Sequence, residues 1–479
     1  MIKSIKFFLL FQGAALAVLC LTACSLPTGS QANGNYSVVN FESKIFNVQR
    51  ADTEQWYEIS ALKLAEGAYC VVYVSDTELE SVSPGLARYI AAEYDTNIYG
   101  AISGIFGDYM AAGFDVDADG KTTLLLLDIL DGYSGSGGYV AGYFDSTHMY
   151  NASTYVKSNQ ADMLFIDVKP QSPRGINFYV TLAHELQHLI NFALHKGKSQ
   201  EIWLNEGLSS AAEYHYGGHQ WSRINYFNAD PMGTIAQGNN FFVWDGHWEN
   251  GGAEDLLANY ATVYLFFQWL RIQGGGPSIY TEIAGSDFRD YQALTHAAKD
   301  RFSGITATDD AEMWDRLLSS WMIANYRNDP SPSLYGYKEE WQTVKLKRHT
   351  IVSPLSSVSL FPGEGVFSGS KGAASIPDGS SGLHINYLAM GTGTVLPIGS
   401  SLPPGNDVLL SYNANTSSGG PGEEAYIYAT PAKDQSLTQG ATTGRSAFSP
   451  EALPESYPIG VHDLRRPASA DPAPAPASR

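Results

Sequence analysis

Two histidines four residues apart, His184 and His188, stand inside the stretch Thr181-Leu182-Ala183-His184-Glu185-Leu186-Gln187-His188-Leu189-Ile190-Asn191. At roughly 100° per residue a four-residue step turns about 400°, so on a helix both imidazoles leave one face, one turn apart. The fold therefore has to present an amphipathic helix here with two rings projecting together, as a shared tetrahedral zinc ion requires. With 11 histidines in 479 residues, roughly 0.01 chance matches to His-Glu-x-x-His are expected in such a chain. The alternative is a pair of helix-face histidines that hold nothing.

A third ligand stands at a workable distance. Seventeen residues separate His188 from Glu206 in Trp203-Leu204-Asn205-Glu206-Gly207, where Glu206 is expected to open the next helical run. A second helix then returns Glu206 to the metal, giving two His, one Glu and a position left for water, which is the catalytic rather than the closed structural arrangement. Glu185, beside the first ligand, is placed to take a proton from water activated by zinc and to hand it to a leaving amine. The chemistry these residue types suit is peptide-bond hydrolysis.

On His184, Glu185, His188 and Glu206 the chain resembles the gluzincin clan of metallopeptidases. The metzincin pattern is not met: Asn191 occupies its Gly position and Leu194 its third His, with His195 one place out of register. A wider resemblance, to hyicolysin-type bacterial peptidases, runs over roughly residues 70 to 330. It is carried by Asp115-Val116-Asp117-Ala118-Asp119-Gly120-Lys121, by Leu127-Asp128-Ile129, by Gly138-Tyr139-Val140-Ala141-Gly142-Tyr143-Phe144 and by Met163-Leu164-Phe165-Ile166-Asp167, all ahead of the zinc helix. The clan resemblance implies an α+β fold, a gluzincin-like catalytic domain of mixed sheet, zinc helix and helical subdomain, with all-β regions flanking it. In gluzincins resembling the aminopeptidase N family, a tyrosine at the start of a later apolar helix donates to the oxyanion. Tyr260 has that placement, although Thr262-Val263 replaces the family's Lys-Gly; a packed tyrosine is the other reading, and Tyr264 and His247 are weaker candidates. That family's Gly-x-Met-Glu-Asn segment for a free amino terminus is missing before His184, which favours an endopeptidase over an aminopeptidase.

The amino terminus bears on where such an enzyme works. Lys3 and Lys6 precede an apolar run over 7–21, too short for an ordinary spanning helix, and Leu21-Thr22-Ala23-Cys24 is the small-residue box that precedes a lipid-modified cysteine in bacterial lipoproteins. Residues 1–23 are expected to be a removed signal, Cys24 the lipidated anchor and 24–35 a polar tether, with soluble secretion the alternative. Ser25 lacks the Asp that commonly retains lipoproteins at an inner membrane, which favours outer-membrane or cell-surface display. Cys20 leaves with the signal and Cys24 carries lipid, so Cys70, in a strand-like apolar run, stays a packed thiol with no disulfide partner.

Composition and pattern divide the rest. Asp+Glu number 49 against 29 Lys+Arg, a net charge of -20 that repels nucleic acid. Short β-rich runs suggest a small N-terminal β region over 36–77, then a metallopeptidase domain over 78–340 with strands at 122–130 and 162–168 and helices at 86–94, 178–193, 206–216, 260–272, 291–302 and 311–323. Residues 351–460 hold eleven charges in 110 positions. Their short Gly/Ser/Pro-bounded apolar runs suggest a C-terminal β domain over 351–463, followed by a Pro/Ala tail over 464–479 with too little apolar area to pack. Asp115-x-Asp117-x-Asp119-Gly120 has the opening of a calcium loop, but Leu126 stands where a bidentate Glu is needed, so it reads as a polar turn with a partial calcium site as the alternative. The whole reads as a lipid-anchored zinc peptidase acting on protein or peptide. The rival from another class is a surface adhesin or binding lipoprotein that keeps the scaffold without turnover.

Overall fold

The computed structural model describes residues 6–12 and 42–427, apart from 136–137, 239–240, 245–254, 303, 330–332, 339–340, 342–343, 352–356, 370–375, 377–381, 391–393, 398 and 402–407. Of residues 6–12 the backbone alone is described. The signal box with Cys24, the tether, the whole carboxyl-terminal segment from 428 on and His247 lie outside the described residues. What is described is a mixed α+β protein that divides into two compact units: residues up to Ser199 with Ala212–Gln220, and Gln200–Ala211 with the chain from Trp221 on.

The first unit is built on a seven-stranded sheet. Its strands are β1 (Lys6–Gln12), β2 (Ser43–Gln49), β3 (Trp56–Glu66), β4 (Cys70–Ser75), β5 (Thr122–Leu127), β6 (Gly138–Asp145) and β7 (Met163–Asp167), in the spatial order β1-β6-β7-β5-β4-β3-β2. The centre is parallel, β4 to β5 to β7, and the remaining pairings are antiparallel. Every residue of β4, β5 and β7 is buried, as their unbroken apolar runs demand of strands covered on both faces. β2 instead alternates exposed and buried positions, as suits a strand at the sheet's edge. One face of the sheet packs Phe46, Val71, Tyr73, Leu125, Leu127, Val140 and Phe165 into a single core.

Helices α1 (Pro84–Glu93) and α2 (Gly100–Phe106) and the long α3 (Ile176–Leu194) complete this unit, α3 packing on β6 and β7. α1 starts where Ser83 accepts from the Leu86 amide, with proline in its first turn. α3 is buried from Phe178 through Ala193. A helix buried all round has no solvated face for polar residues, so its His184, Glu185, Gln187, His188 and Asn191 must be placed for protein or ligand partners. α3 can approach the sheet because β6 carries Gly142 beneath it: a Cβ there would lie 2.7 Å from the Thr181 methyl and 3.1 Å from the Phe165 carbonyl.

α4 (Ile202–Gly217) belongs to the second unit in its first part and to the first unit from Ala212. The second unit continues with α5 (Trp221–Ala229), α6 (Leu256–Gln273), α7 (Ser278–Ala284), α8 (Tyr291–Ala298) and α9 (Asp310–Arg327). Trp203, Phe241, Phe242, Phe266, Trp314 and Trp321 pack ring on ring in its core. α6 is buried nearly end to end. β8 (Ser357–Leu360), β9 (Gly365–Gly369), β10 (Ile385–Ala389), β11 (Thr394–Val395), β12 (Val408–Asn413) and β13 (Glu423–Tyr426) form a four-stranded and a two-stranded antiparallel sheet over one apolar cluster. Asp315 on α9 accepts from the Tyr412 hydroxyl at 2.8 Å and the Asn386 amide at 3.2 Å, joining these strands to the helices.

Element positions match the sequence expectations in type and differ at ends. Glu206 lies one turn inside α4 rather than opening it, because the helix starts at Ile202. The strand expected to reach residue 130 ends at Leu127, where the chain turns so that the Ile129 amide donates to the Asp167 carboxylate. The helix expected over 291–302 stops at Ala298. No helix among the described residues is long and apolar enough to cross a membrane.

Candidate metal centre

His184 and His188 both sit in the buried middle of α3, fully screened from solvent, with their Nε2 atoms 3.0 Å apart. Two nitrogens each about 2.0–2.1 Å from one tetrahedral ion lie about 3.3 Å from each other, so this separation suits a shared metal. Glu206 on α4 is equally buried, and ligand atoms of His184, His188 and Glu206 all lie within 4.8 Å of one another. The donor set, two imidazoles and a carboxylate, is one that zinc accepts, and it leaves room for a fourth ligand.

The proton inventory agrees. His184 Nδ1 is 2.8 Å from Glu213 Oε1, and the two side chains are 0% and 3% exposed. A carboxylate accepts here, which places the imidazole proton on Nδ1 and leaves the Nε2 lone pair to face His188 Nε2. Glu213 was not singled out by spacing to the histidines. Its signal lies within α4: seven residues after Glu206 is about 700°, so both carboxylates leave the same side of that helix.

Glu185 is fully buried on α3, the next residue after His184. Asn191 is buried as well, and His195 ends α3 with Nδ1 2.8 Å from the Asn191 carbonyl, so it is bound to its own helix and is not grouped with the other two histidines. Tyr260 lies in the second turn of α6 and is fully buried. Seven residues on, and therefore on the same side of α6, the Phe267 ring fills the space that a side chain at position 207 would need; Gly207, next to Glu206, makes that approach possible. Trp244 meets the Tyr260 ring edge-on at 4.9 Å, and the Arg223 guanidinium lies over it at 4.6 Å. Tyr264 is buried against Trp341 at 5.9 Å.

A second acidic group also forms. Asp115 and Asp117 come within 4.8 Å of Asp162, with Asp119 outside the set. Asp115 accepts from the Asp119 and Gly120 amides at 3.2 and 2.9 Å, while Asp162 accepts from the Val116 amide and the Tyr109 hydroxyl at 3.1 and 2.5 Å. Asp115 and Asp162 thus accept from backbone amides of the turn. Burial, with Asp119 and Asp115 adding repulsion, pushes the Asp117 carboxyl up to about 6. Cys70 is fully buried, and burial pushes its thiol well above the ordinary range, as befits a packed side chain.

Buried His184, His188 and Glu206 thus form, in a mixed α+β protein, a set that could hold a metal ion, and comparison with known proteins narrows what it would serve. Over 254 residues the chain is 31% identical to the neutral metalloprotease ShpI of Staphylococcus hyicus, the match covering 50% of this chain and 54% of that protein. The chain thus spans about half the length of the curated relative it matches. This similarity supports a relationship to zinc metallopeptidases of the hyicolysin type. No family model matches the chain.

Proposed function

We propose that the protein is a zinc-dependent peptidase of gluzincin type that cleaves internal peptide bonds of protein or peptide substrates. One observation carries this: the three residues picked out by spacing bring their ligand atoms within 4.8 Å of one another in a buried place. The resemblance to a metalloprotease adds weight. His184, His188 and Glu206 would hold the zinc ion, which when bound would supply Lewis acidity toward the scissile carbonyl and toward water, whose pKa it would lower to about 7.

The chain's own residues do the rest. Glu213 holds His184 in the tautomer whose Nε2 is free to bind. Glu185 accepts the proton of the attacking water and delivers it to the leaving amine. Tyr260 donates its hydroxyl to the oxyanion that forms on the carbonyl. A structural site has no use for a carboxylate in the Glu185 position, which favours an enzyme over a binding lipoprotein. The same proposal includes export and attachment: the acyl chains on Cys24 hold the enzyme at the bacterial envelope, on the outer membrane or cell surface.

The test is metal analysis and casein digestion of protein purified without chelator. One zinc per chain is expected, with cleavage at internal bonds that 1,10-phenanthroline abolishes. Protein without stoichiometric zinc, or cleavage indifferent to the chelator, contradicts the proposal; trimming from amino termini alone replaces the endopeptidase by an aminopeptidase.

A further inference from the structure

Arg223 is 2% exposed, and among the described residues it is the one Arg or Lys so deeply buried. Burying a cation is costly unless the surroundings compensate for its lost hydration. Part of that compensation is the face of the Tyr260 ring, 4.6 Å from the guanidinium carbon. The placement is held from both sides. One turn after Arg223 on α5, the Tyr226 hydroxyl donates to Asp255 Oδ1 at 2.5 Å. Asp255 caps α6 by accepting from the Ala258 amide at 3.3 Å, two residues before Tyr260. Trp244 closes the ring's edge at 4.9 Å. α5 thus grips the start of α6 at two points, the helix cap and the phenol.

We infer that Arg223 is a positioning residue for peptide hydrolysis, fixing the Tyr260 ring by its planar guanidinium and polarising the phenol so that its hydroxyl is a stronger donor to the oxyanion. This rests on the reading of Tyr260 as the oxyanion donor. A lysine keeps the charge but not the planar stacking, so Arg223→Lys is expected to retain part of the effect and Arg223→Met none.

A double-mutant cycle tests it, with kcat and KM on one peptide cut by the wild type, and zinc content and melting temperature on every sample. Arg223→Met is expected to lower kcat about 5- to 30-fold, with KM within about 2-fold and zinc unchanged. Tyr260→Phe lowers kcat about 10²- to 10³-fold. In the Tyr260→Phe background, Arg223→Met should change kcat by less than about 2-fold, because nothing remains for it to position. Arg223→Lys should fall between wild type and Arg223→Met. Losses that multiply across the two sites, or a silent Arg223→Met beside an impaired Tyr260→Phe, overturn the role of Arg223 alone. A Tyr260→Phe enzyme at wild-type kcat overturns both. If Arg223→Met fails to fold, the decision passes to Arg223→Lys, whose loss must vanish in the Tyr260→Phe background.

Discussion

Replacing one oxygen of Glu213 by nitrogen alters which proton His184 carries. The carboxylate only accepts, so it holds the proton on Nδ1 at 2.8 Å; an amide can turn its NH2 group to that nitrogen and leave Nε2 protonated and unable to bind. Glu213→Gln is therefore predicted to weaken zinc by about 10- to 100-fold, read by competition with a chromogenic chelator, while the melting temperature of the zinc-loaded protein changes little. Wild-type affinity in this variant would show that His184 is oriented by its backbone alone. His184, His188 and Glu206 are legible as a set because helical periodicity and the spacing between two helices are properties of sequence. Glu213 and Arg223 are not legible in the same way. A carboxylate on a helix face and an arginine four residues after His219 have many possible fates, and only tertiary contact chooses among them.

At the scale of elements, the segment after α9 is pinned to α5 by His349. Its Nε2 lies 2.8 Å from the Phe227 carbonyl, its ring meets Phe227 edge-on at 5.1 Å, and Asp230 Oδ2 is 3.6 Å from Nδ1. Burial, with Lys347 adding repulsion, depresses the imidazole to about 4. Burial also pushes the Asp230 carboxyl up. A histidine whose folded pKa lies below its unfolded value of about 6.5 contributes stability that is full above that value and lost as pH falls toward 4. The wild type is predicted to lose about 2–3 kcal/mol from this group between pH 6.5 and 4. His349→Gln should remove that part of the acid sensitivity, as measured by urea unfolding at several pH values; parallel curves for the two proteins would refute it. The elements themselves show where sequence reasoning runs out. Runs such as Leu124-Leu125-Leu126-Leu127 and the apolar helix from residue 178 announce themselves. Their ends do not: Ile202 begins α4 a full turn before Glu206, and β5 ends at Leu127, where the Ile129 amide turns to the distant Asp167.

At the scale of the whole molecule, the proposed anchor at Cys24 sets where the proposed peptidase would work. Cys24→Ser is predicted to move the protein from the membrane fraction to the soluble one and to abolish palmitate labelling, since the proposal places the acyl chains at that residue. Unchanged fractionation would remove the anchor from the account and leave the chemistry untouched. That chemistry is tested most directly at Glu185. Glu185→Gln keeps the shape and burial of the side chain but not a proton-accepting carboxylate. Casein cleavage by this variant is predicted to fall about 10²- to 10⁴-fold, with one zinc per chain retained in the same sample. Equal rates for wild type and Glu185→Gln at equal zinc content would contradict the mechanism.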